Sequence, residues 1–543
     1  MAVSPPAPTE KVSPLASRAF REIWAANMLS NLGSLAQLVG ASWLMTSLTT
    51  SEQMVALVQA STALPVMLLA LWAGAIADRF DRRSVMLVSQ AFTMAASAVL
   101  ALCAWAGWLD AWSLLCFTFL IGCGAALRTP AWQAGVGEMV PRSALPSAIA
   151  LNSIGFNLAR SVGPAIGGVI VAASGPAAAF VINALSNIGM VSALVRWKRE
   201  RTARTLPPEP FLSAVGSGLR YVAMAPAILS VLPRAALFGL GASGVQALLP
   251  LIARDQMHGA AFTYGLLLGA FGFGAVAGGL LIGRLRDLLG AERLSRASSL
   301  AFVAGTVGTA FSPSLPISMT ALVLNGAGWI VTLSMMNVTV QLNAPNWALA
   351  RILALYQMAA FGGIAAGSWL IGLLAGQYGI RDALLIAAAI QLAVIGLTFA
   401  FPLHASDELN LTPFGGWKEI EPAFAPDGHG PVVIVTEFSI RPERTAAFLA
   451  LMQERRRIRR RNGGRRWQLL HDLRNPEIWV ESYHVPAWAE YLRHRERLVQ
   501  HEAQLFARIR ALHSGPGAPE IRRFVGMLPG ASIHPYNVES GIA

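Results

Sequence analysis

Runs of about twenty apolar residues, the length a helix needs to cross the ~30 Å hydrocarbon core of a bilayer, follow one another through the first 402 residues of this chain. Twelve are readable, at 22–47, 53–77, 84–107, 112–135, 146–172, 177–196, 226–252, 261–284, 294–312, 316–340, 350–375 and 383–402. Inside lipid no water satisfies backbone polar groups, so a run of this kind must close its own hydrogen bonds as a helix. Charge agrees: residues 1–402 hold only 36 Asp, Glu, Lys and Arg, about 9%, against ~25% in soluble proteins. Residues 403–543 hold 35 in 141, an ordinary soluble density. The expected fold is an all-α membrane protein, twelve transmembrane helices in two six-helix halves, followed by a small α+β cytoplasmic domain.

The expected boundaries are a disordered, Pro- and Ser-rich segment at 1–19, a first half at 20–196, a central cytoplasmic loop at 197–225 and a second half at 226–402. A linker at 403–430, a soluble domain at 431–528 and a tail at 529–543 complete the chain. Basic residues fix the orientation, because cytoplasmic loops retain them. With the N-terminus inside, the inner loops carry Arg79, Arg82, Arg83, Arg142, Arg196, Lys198, Arg199, Arg201, Arg204, Arg284, Arg286, Arg293, Arg296 and Arg351. The outer loops carry Arg254 and Arg381. An even number of spans then places both termini in the cytoplasm.

The net charge of +13 reflects this loop bias, so no nucleic-acid partner is read from it. The chain has three lysines, Lys11, Lys198 and Lys418, and none completes a G-x-x-x-x-G-K-[ST] phosphate loop, which excludes an ATP-driven motor of that kind. Cys103, Cys116 and Cys123 sit in apolar runs without metal-ligand spacing and read as small core residues. No metal and no cofactor is expected.

An internal repeat supports two halves. Pro141, Gly163 and Gly175 are matched 204 residues later by Pro345, Gly367 and Gly379, in the same places of spans 4–6 and 10–12. Carriers built from such repeats bind substrate near mid-membrane, between the halves, and expose it to each side in turn.

The loop after span 2 runs from Gly74 through Asp78, Arg79 and Asp81 to Arg82 and Arg83. It resembles the G-x-x-x-D-R-x-G-R-R signature of the major facilitator superfamily, with Asp81 in place of a glycine. Gly74 would permit close helix approach, and the charged residues would form a cytoplasmic latch that breaks between states. Solvated arginines of a positive-inside loop are the plainer alternative. In span 5, Ala150, Ala159, Gly163, Pro164, Gly167 and Gly168 are similar to the superfamily's antiporter signature, with alanine at its first two glycine positions. Gly163 and Gly167 share a helix face, and Pro164 permits a bend, so the segment reads as a hinge or as ordinary small-residue packing. Gly122, Gly124, Ala125 and Ala126 resemble the end of a proton-antiporter signature, but Thr118 and Ile121 replace its Arg and Gln.

Charge inside a span is costly and usually functional. Arg160 is central in span 5, and no Asp or Glu falls at mid-depth in any run. A buried cation of this kind fits an anionic or polyphenolic substrate, or a structural role on carbonyls. Arg128 and Arg234 lie nearer the inner ends, where they can snorkel. The candidate substrate-binding residues are Asn27, Asn31, Asn157, Arg160, Gln246, Trp329 and Tyr356; helix-to-helix hydrogen bonding and interfacial aromatic belts are the structural alternatives. The candidate gating residues are Gly74, Asp78, Arg79, Arg82, Arg83, Gly163, Pro164, Gly167 and Gly168.

Longer matches, at Asn27–Gly33, Asn157–Pro164, Leu248–Arg254, Gly326–Trp329 and Arg351–Gln357, resemble the enterobactin-exporter-like, or transmembrane secretion effector, branch of bacterial carriers. The resemblance implies a multi-pass protein of the bacterial inner membrane. It implies export of a siderophore, drug or secondary metabolite, with H+ as the coupling ion.

In the tail, Val432–Ile440 alternates as a strand, Pro442–Arg461 reads as a helix, Arg466–Asp472 and Ile478–Val485 as strands, Pro486–His513 as a second helix and Glu520–Gly526 as a last strand. The order β-α-β-β-α-β implies a ferredoxin-like sandwich, similar to the dimeric barrels of antibiotic-biosynthesis monooxygenases. No acid–base constellation stands out, so the tail reads as a binding or self-association module rather than an enzyme. Eight arginines between Arg455 and Arg466 imply either a solvated helix end or docking on anionic membrane lipid. The expected partners are thus a small-molecule substrate, a coupling proton, membrane lipid and a second copy through the tail. Two rivals stay open: an importer of the same fold, and a membrane-anchored sensor or enzyme acting through the tail.

Overall fold

The computed structural model describes residues 13–198, 211–312, 314–345, 347–400, 411–412, 414 and 430–526. The expected segments 1–12, 401–410, 415–429 and 527–543, and part of the central loop, lie outside the described residues. Two compact units form. The first takes 1–203, 230–340 and 353–405; the second takes 204–229, 341–352 and 406–543.

The first unit is helical. Its elements are α1 (Arg18–Leu48), α2 (Glu52–Arg79), α3 (Arg82–Ala106), α4 (Ala111–Met139) and α5 (Leu145–Arg196). The short helix α6 (Phe211–Ala223) belongs to the second unit; along the chain it is followed by α7 (Pro226–Leu251), α8 (Ala261–Leu289), α9 (Ala291–Phe311), α10 (Leu315–Asn343), α11 (Leu349–Tyr378) and α12 (Ile380–Ala400), most of whose residues are in the first. Among the described residues, nine helices are long and apolar enough to cross a membrane. One of them, α5, is 52 residues long and breaks at Gly175, where φ is 78°. Helices α1 and α9, of 31 and 21 residues, have spanning length but more polar faces.

Side-chain caps define several starts. Ser51 accepts from Met54 N, Asp81 from Ser84 N, and Asp110 from Ser113 N, each satisfying a free amide of a first turn. Asp81, which departs from the signature's glycine, therefore has a local role as the N-cap of α3.

The repeat is visible in backbone geometry. Gly175 and Gly379, 204 residues apart in sequence, both adopt a left-handed conformation, with φ 78° and 87°. A Cβ at Gly163 of α5 would meet Leu35 of α1, and one at Gly367 of α11 would meet the Leu240 carbonyl of α7. Buried polar contacts tie the first helices together: Gln90 of α3 donates to Ser30 of α1 at 3.0 Å, Ser30 donates to Asn187 of α5 at 2.8 Å, and Ser97 donates to Gln37 at 2.9 Å.

The second unit holds a four-stranded antiparallel sheet: β1 (Val432–Ser439), β2 (Arg465–His471), β3 (Ile478–Val485) and β4 (Glu520–Val525), in spatial order β2-β3-β1-β4. Every second residue of β1 is buried, the alternation of a sheet covered on one face. Helices α13 (Thr445–Arg461), α14 (Trp488–Glu496) and α15 (Gln500–Ala511) accompany it. Where the sequence implied one helix over 486–513, the structure has two, because the chain turns at Arg497–Val499 and Glu502 restarts the helix by accepting from Val499 N.

The arginine run is solvated in part: Arg456, Arg457, Arg460, Arg465 and Arg466 are exposed, and Arg455 and Arg459 are not. Arg455 is buried and bonds both oxygens of the buried Glu481, at 2.7–3.0 Å, and Arg459 joins them at 3.5 Å. Trp467 Nε1 donates to the same carboxylate at 2.9 Å. Burial pushes the Glu481 carboxyl up, but the two guanidiniums outweigh it and hold the group at about 2.

The expected central loop contains a helix that the sequence reading left out. Within the second unit, Tyr221 of α6 meets Trp347 edge-on at 5.7 Å and donates to the Asn343 carbonyl at 3.2 Å. Arg461 lies over the Tyr221 ring at 4.9 Å and Arg497 over the Trp347 ring at 4.8 Å. Arg351 donates to Ser217 at 2.7 Å.

Candidate functional site

Two neighbouring cavities, of about 270 and 420 Å³, lie inside the first unit. They share Ser34, Leu35, Leu38, Thr62 and Phe156, so they adjoin one another. Residues between Ser30 and Asn187, from all of α1 to α5, supply one side; Gln246 of α7, Leu268 and Phe271 of α8, and Gln357 and Phe361 of α11 supply the other. A site of this volume, mostly apolar with a few convergent polar groups, is of the kind that holds a small organic molecule.

Its polar groups come from predicted and unpredicted positions. Asn31, Arg160 and Gln246 line the smaller cavity, as does Pro164, expected at a hinge. Gln59, which the sequence reading missed, donates to Gln246 Oε1 at 3.3 Å, a hydrogen bond between the two halves of the repeat. Arg128 lines the larger cavity and donates to Asn27 Oδ1 at 2.8 Å and Asn31 Oδ1 at 3.4 Å. Asn27 and Asn31 sit four residues apart, one turn, which is what lets both face one guanidinium. That i, i+4 pair was the sequence signal by which Arg128 could have been assigned to the cavity rather than to the interface.

Three other candidates fall elsewhere. Trp329 is buried among Phe238, Phe271 and Phe302, with ring centroids 5.8–6.3 Å away, and lines neither cavity. Tyr356 is buried and donates to the Leu333 carbonyl at 3.0 Å, again outside both linings. Both rings are large enough to be drawn into packed contacts once a partner surface exists. The Asn157 side chain lies outside the described residues. Arg234, which the sequence placed where it could snorkel, is buried, and Glu292 of α9, 58 residues away, lies 3.1 Å from it.

Just after α2, where gating residues were expected, Arg82 bonds Glu138 at 2.8 Å and the Ala134 carbonyl at 3.0 Å, both on α4. Arg83 donates to the carbonyls of Leu194 and Val195, at the end of α5 where four carbonyls lack helical partners. Arg79 is exposed, its guanidinium 6.0 Å from the Phe80 ring, and the Asp78 side chain lies outside the described residues. At Gly74, expected to permit close helix approach, a Cβ would meet nothing within 4 Å among the described residues.

The span-5 glycines do make close contacts. A Cβ at Gly167 would come 2.8 Å from Cα of Ala36, and one at Gly168 would come 2.8 Å from Cα of Gly265 on α8. Gly272 faces the Arg160 carbonyl and Ser161 Cα at 2.6 and 2.7 Å in the same sense. Helices α5 and α8 thus pack backbone to backbone along one seam between the halves.

Residues 9–528 match the family model described as transmembrane secretion effector. The chain belongs to that family. Among its relatives, the multidrug efflux pump Tap of Mycobacterium tuberculosis is 28% identical over 407 residues, covering 72% of this chain and 94% of that one. Macrolide efflux protein A of Streptococcus pyogenes is 24% identical over 267 residues, 49% of this chain and 66% of its own. In structure, the chain is similar to a bacterial homologue of the human lysosomal transporter Spinster in an inward-facing, unoccupied conformation, with TM-score 0.58 and 15% identity, over 72% of this chain and 97% of that one. The fold is that of major facilitator transporters. The protein is a multi-pass membrane transporter homologous to efflux pumps and not an enzyme.

Proposed function

We propose that this protein exports a small organic solute from the bacterial cytoplasm across the inner membrane by alternating access. The observation that carries the reading is the smaller cavity, whose lining takes Asn31, Gln59 and Arg160 from one half and Gln246 from the other, with a hydrogen bond between Gln59 and Gln246. A site shared by two repeat halves changes its exposure whenever the halves rock. Twelve spans follow when the second span inside α5, and α1 and α9, are added to the nine apolar helices. Both termini are cytoplasmic by the arginine bias of the loops.

Asn31, Arg160 and Gln246 contact substrate, with Asn27 acting through Arg128. Asp78, Arg79, Arg82 and Arg83 form the cytoplasmic latch, and Gly163, Pro164, Gly167 and Gly168 form the hinge against α1 and α8. The proton-motive force, with its chemical and electrical components, supplies the energy. The efflux-pump relatives support the outward direction. The strand order β2-β3-β1-β4 supports a ferredoxin-like sandwich of the monooxygenase type in the C-terminal domain, used for binding or self-association.

The test compares compounds released by cells making the wild-type chain, an Asp78→Asn variant at equal membrane abundance, and no chain. Export predicts compounds whose release needs the wild type and falls at least tenfold in the variant. Compounds depleted from the medium instead would identify an importer. Full release by Asp78→Asn would sink the latch assignment.

A further inference from the structure

Arg160 faces the smaller cavity, and among the described residues its guanidinium makes no hydrogen bond and no ion pair. Arg128 faces the larger cavity and, among the described residues, bonds only to the neutral amides of Asn27 and Asn31. No Asp or Glu lines either space among the described residues. The other polar lining groups near Arg160 are Asn31, Ser34, Gln59, Thr62 and Gln246, all neutral. The contrast with Arg234 is informative. That arginine, also buried, is held by Glu292 at 3.1 Å and by Ser295 at 3.3 Å, so this chain does supply a counter-ion where an arginine is structural.

A guanidinium held in a low-dielectric space without an anion is costly, and the cost is relieved by whatever anion enters. Two such groups on two adjoining cavities define a region with net positive charge. It favours an oxyanion, since guanidinium matches carboxylate or phosphate geometry with paired donors. It also repels a cation, which would meet two like charges and no acceptor stronger than an amide.

We propose that the exported solute is an organic anion, carrying a carboxylate, phosphate or similar oxyanion on an apolar body, and that the electrical component of the membrane gradient drives its exit. The class deepens the export reading and rests on it. The Arg160 guanidinium takes the anionic group, Arg128 stands beside its path, and Leu35, Leu38, Phe156 and Phe271 take the apolar body. With the cytoplasm negative, a monovalent anion moving out goes downhill, by about fifty-fold in equilibrium ratio per 100 mV. Export of such a solute needs no carboxylate to carry a proton through the cavity, which agrees with a lining that has none among the described residues.

The experiment extends the release comparison to charge. Compounds released only when the wild-type chain is present are separated by net charge at pH 7, and the same cells are made with Arg160→Gln and Arg160→Lys. The expected result is that these compounds are anions, that Arg160→Gln lowers their release at least tenfold, and that Arg160→Lys restores part of it. A released set that is cationic or neutral overturns the proposal while leaving the export reading intact, and that outcome needs no variant to fold. An empty set fails the export reading, and the proposal with it. Undiminished anion release by Arg160→Gln overturns the assigned site. For the driving force, the main released anion is loaded into proteoliposomes containing the purified chain. Efflux should follow a valinomycin-set potassium potential at equal pH on both sides; efflux that follows a pH difference at zero potential overturns electrical drive.

Discussion

Nη1 of Arg459 lies 3.1 Å from Nε2 of His494. Because a guanidinium only donates, Nε2 must accept, and Nδ1 then carries the proton, 3.2 Å from the Asn462 carbonyl. The ring is fixed as one neutral tautomer. Burial, and then Arg459, push it well down from its usual range, to about 3.

This geometry predicts acid lability of the C-terminal domain. In the unfolded chain the ring takes its proton near pH ~6.5. The stability that the neutral ring contributes is therefore present above that pH and is lost as pH falls toward about 3. Glu481 adds a second loss, beginning near its unfolded value of ~4.3 and continuing to about 2. Hydrogen exchange of peptides from 432–525 in the full-length protein, compared at pH 7.5 and 5.5 after correction for intrinsic rates, should show weaker protection at the lower pH. Gln at position 494 can accept from Arg459 and donate to Asn462 without titrating, so His494→Gln should lose that dependence. Equal pH sensitivity in the variant would remove His494 from the account.

How much of this was legible in the sequence follows from where each signal resides. Span positions rest on local apolar runs, and these are nearly all present as helices. The Gly175 and Gly379 turns follow from a repeat readable at a fixed offset of 204. Partners distant in sequence were not readable. Nothing local says that Arg455 meets Glu481 on another element, that Arg234 meets Glu292, or that Gln59 reaches Gln246 187 residues away. Helix α6 was lost because thirteen residues are too few to register as a span, and its amphipathic face is explained only by the aromatic and arginine groups it meets.

The seam between α5 and α8 predicts opposite outcomes for two glycines. At Gly168 any side chain meets backbone of Gly265, which cannot rotate away. Gly168→Val should destabilise by about 1–3 kcal/mol and lower the melting temperature in detergent. At Gly74 there is open space, so Gly74→Ala should leave the melting temperature unchanged within the ~0.5 kcal/mol expected of an unconstrained site. If the latch brings a neighbouring helix against Gly74 in the opposite state, Gly74→Ala will nonetheless slow export several-fold. Normal melting with normal export would show that Gly74 is never approached.

The Arg82–Glu138 pair gives a test of whether the gate acts as a unit. Both side chains are 23% exposed, so the pair's contribution to stability is modest, about 0.2–1 kcal/mol. Its kinetic effect should be larger if it holds one conformational state. Arg82→Gln and Glu138→Gln should each change the export rate in the same direction, and the double variant should be no worse than either single one. Additive losses in the double variant would mean that the two residues act separately.

The last expectation concerns the grip on α6. Tyr221 is at once beneath Arg461, edge-on to Trp347 and bonded to the Asn343 carbonyl, while Arg497 covers Trp347. One ring thus joins helix 211–223, the segment 341–352 and the arginines of the sheet domain within a single compact unit. Removing it deletes a cation–π contact and an aromatic pair, each contributing about 0.5–1.5 kcal/mol. Tyr221→Ala should therefore raise hydrogen exchange in peptides 211–223 and 341–352 together, by roughly tenfold for a loss of ~1.4 kcal/mol. Tyr221→Phe keeps both ring contacts and loses only the hydroxyl, and should sit much closer to wild type. Exchange that rises in 211–223 alone, with 341–352 unchanged, would show that Trp347 and Arg497 hold their segment without Tyr221, and that the three elements do not open as one.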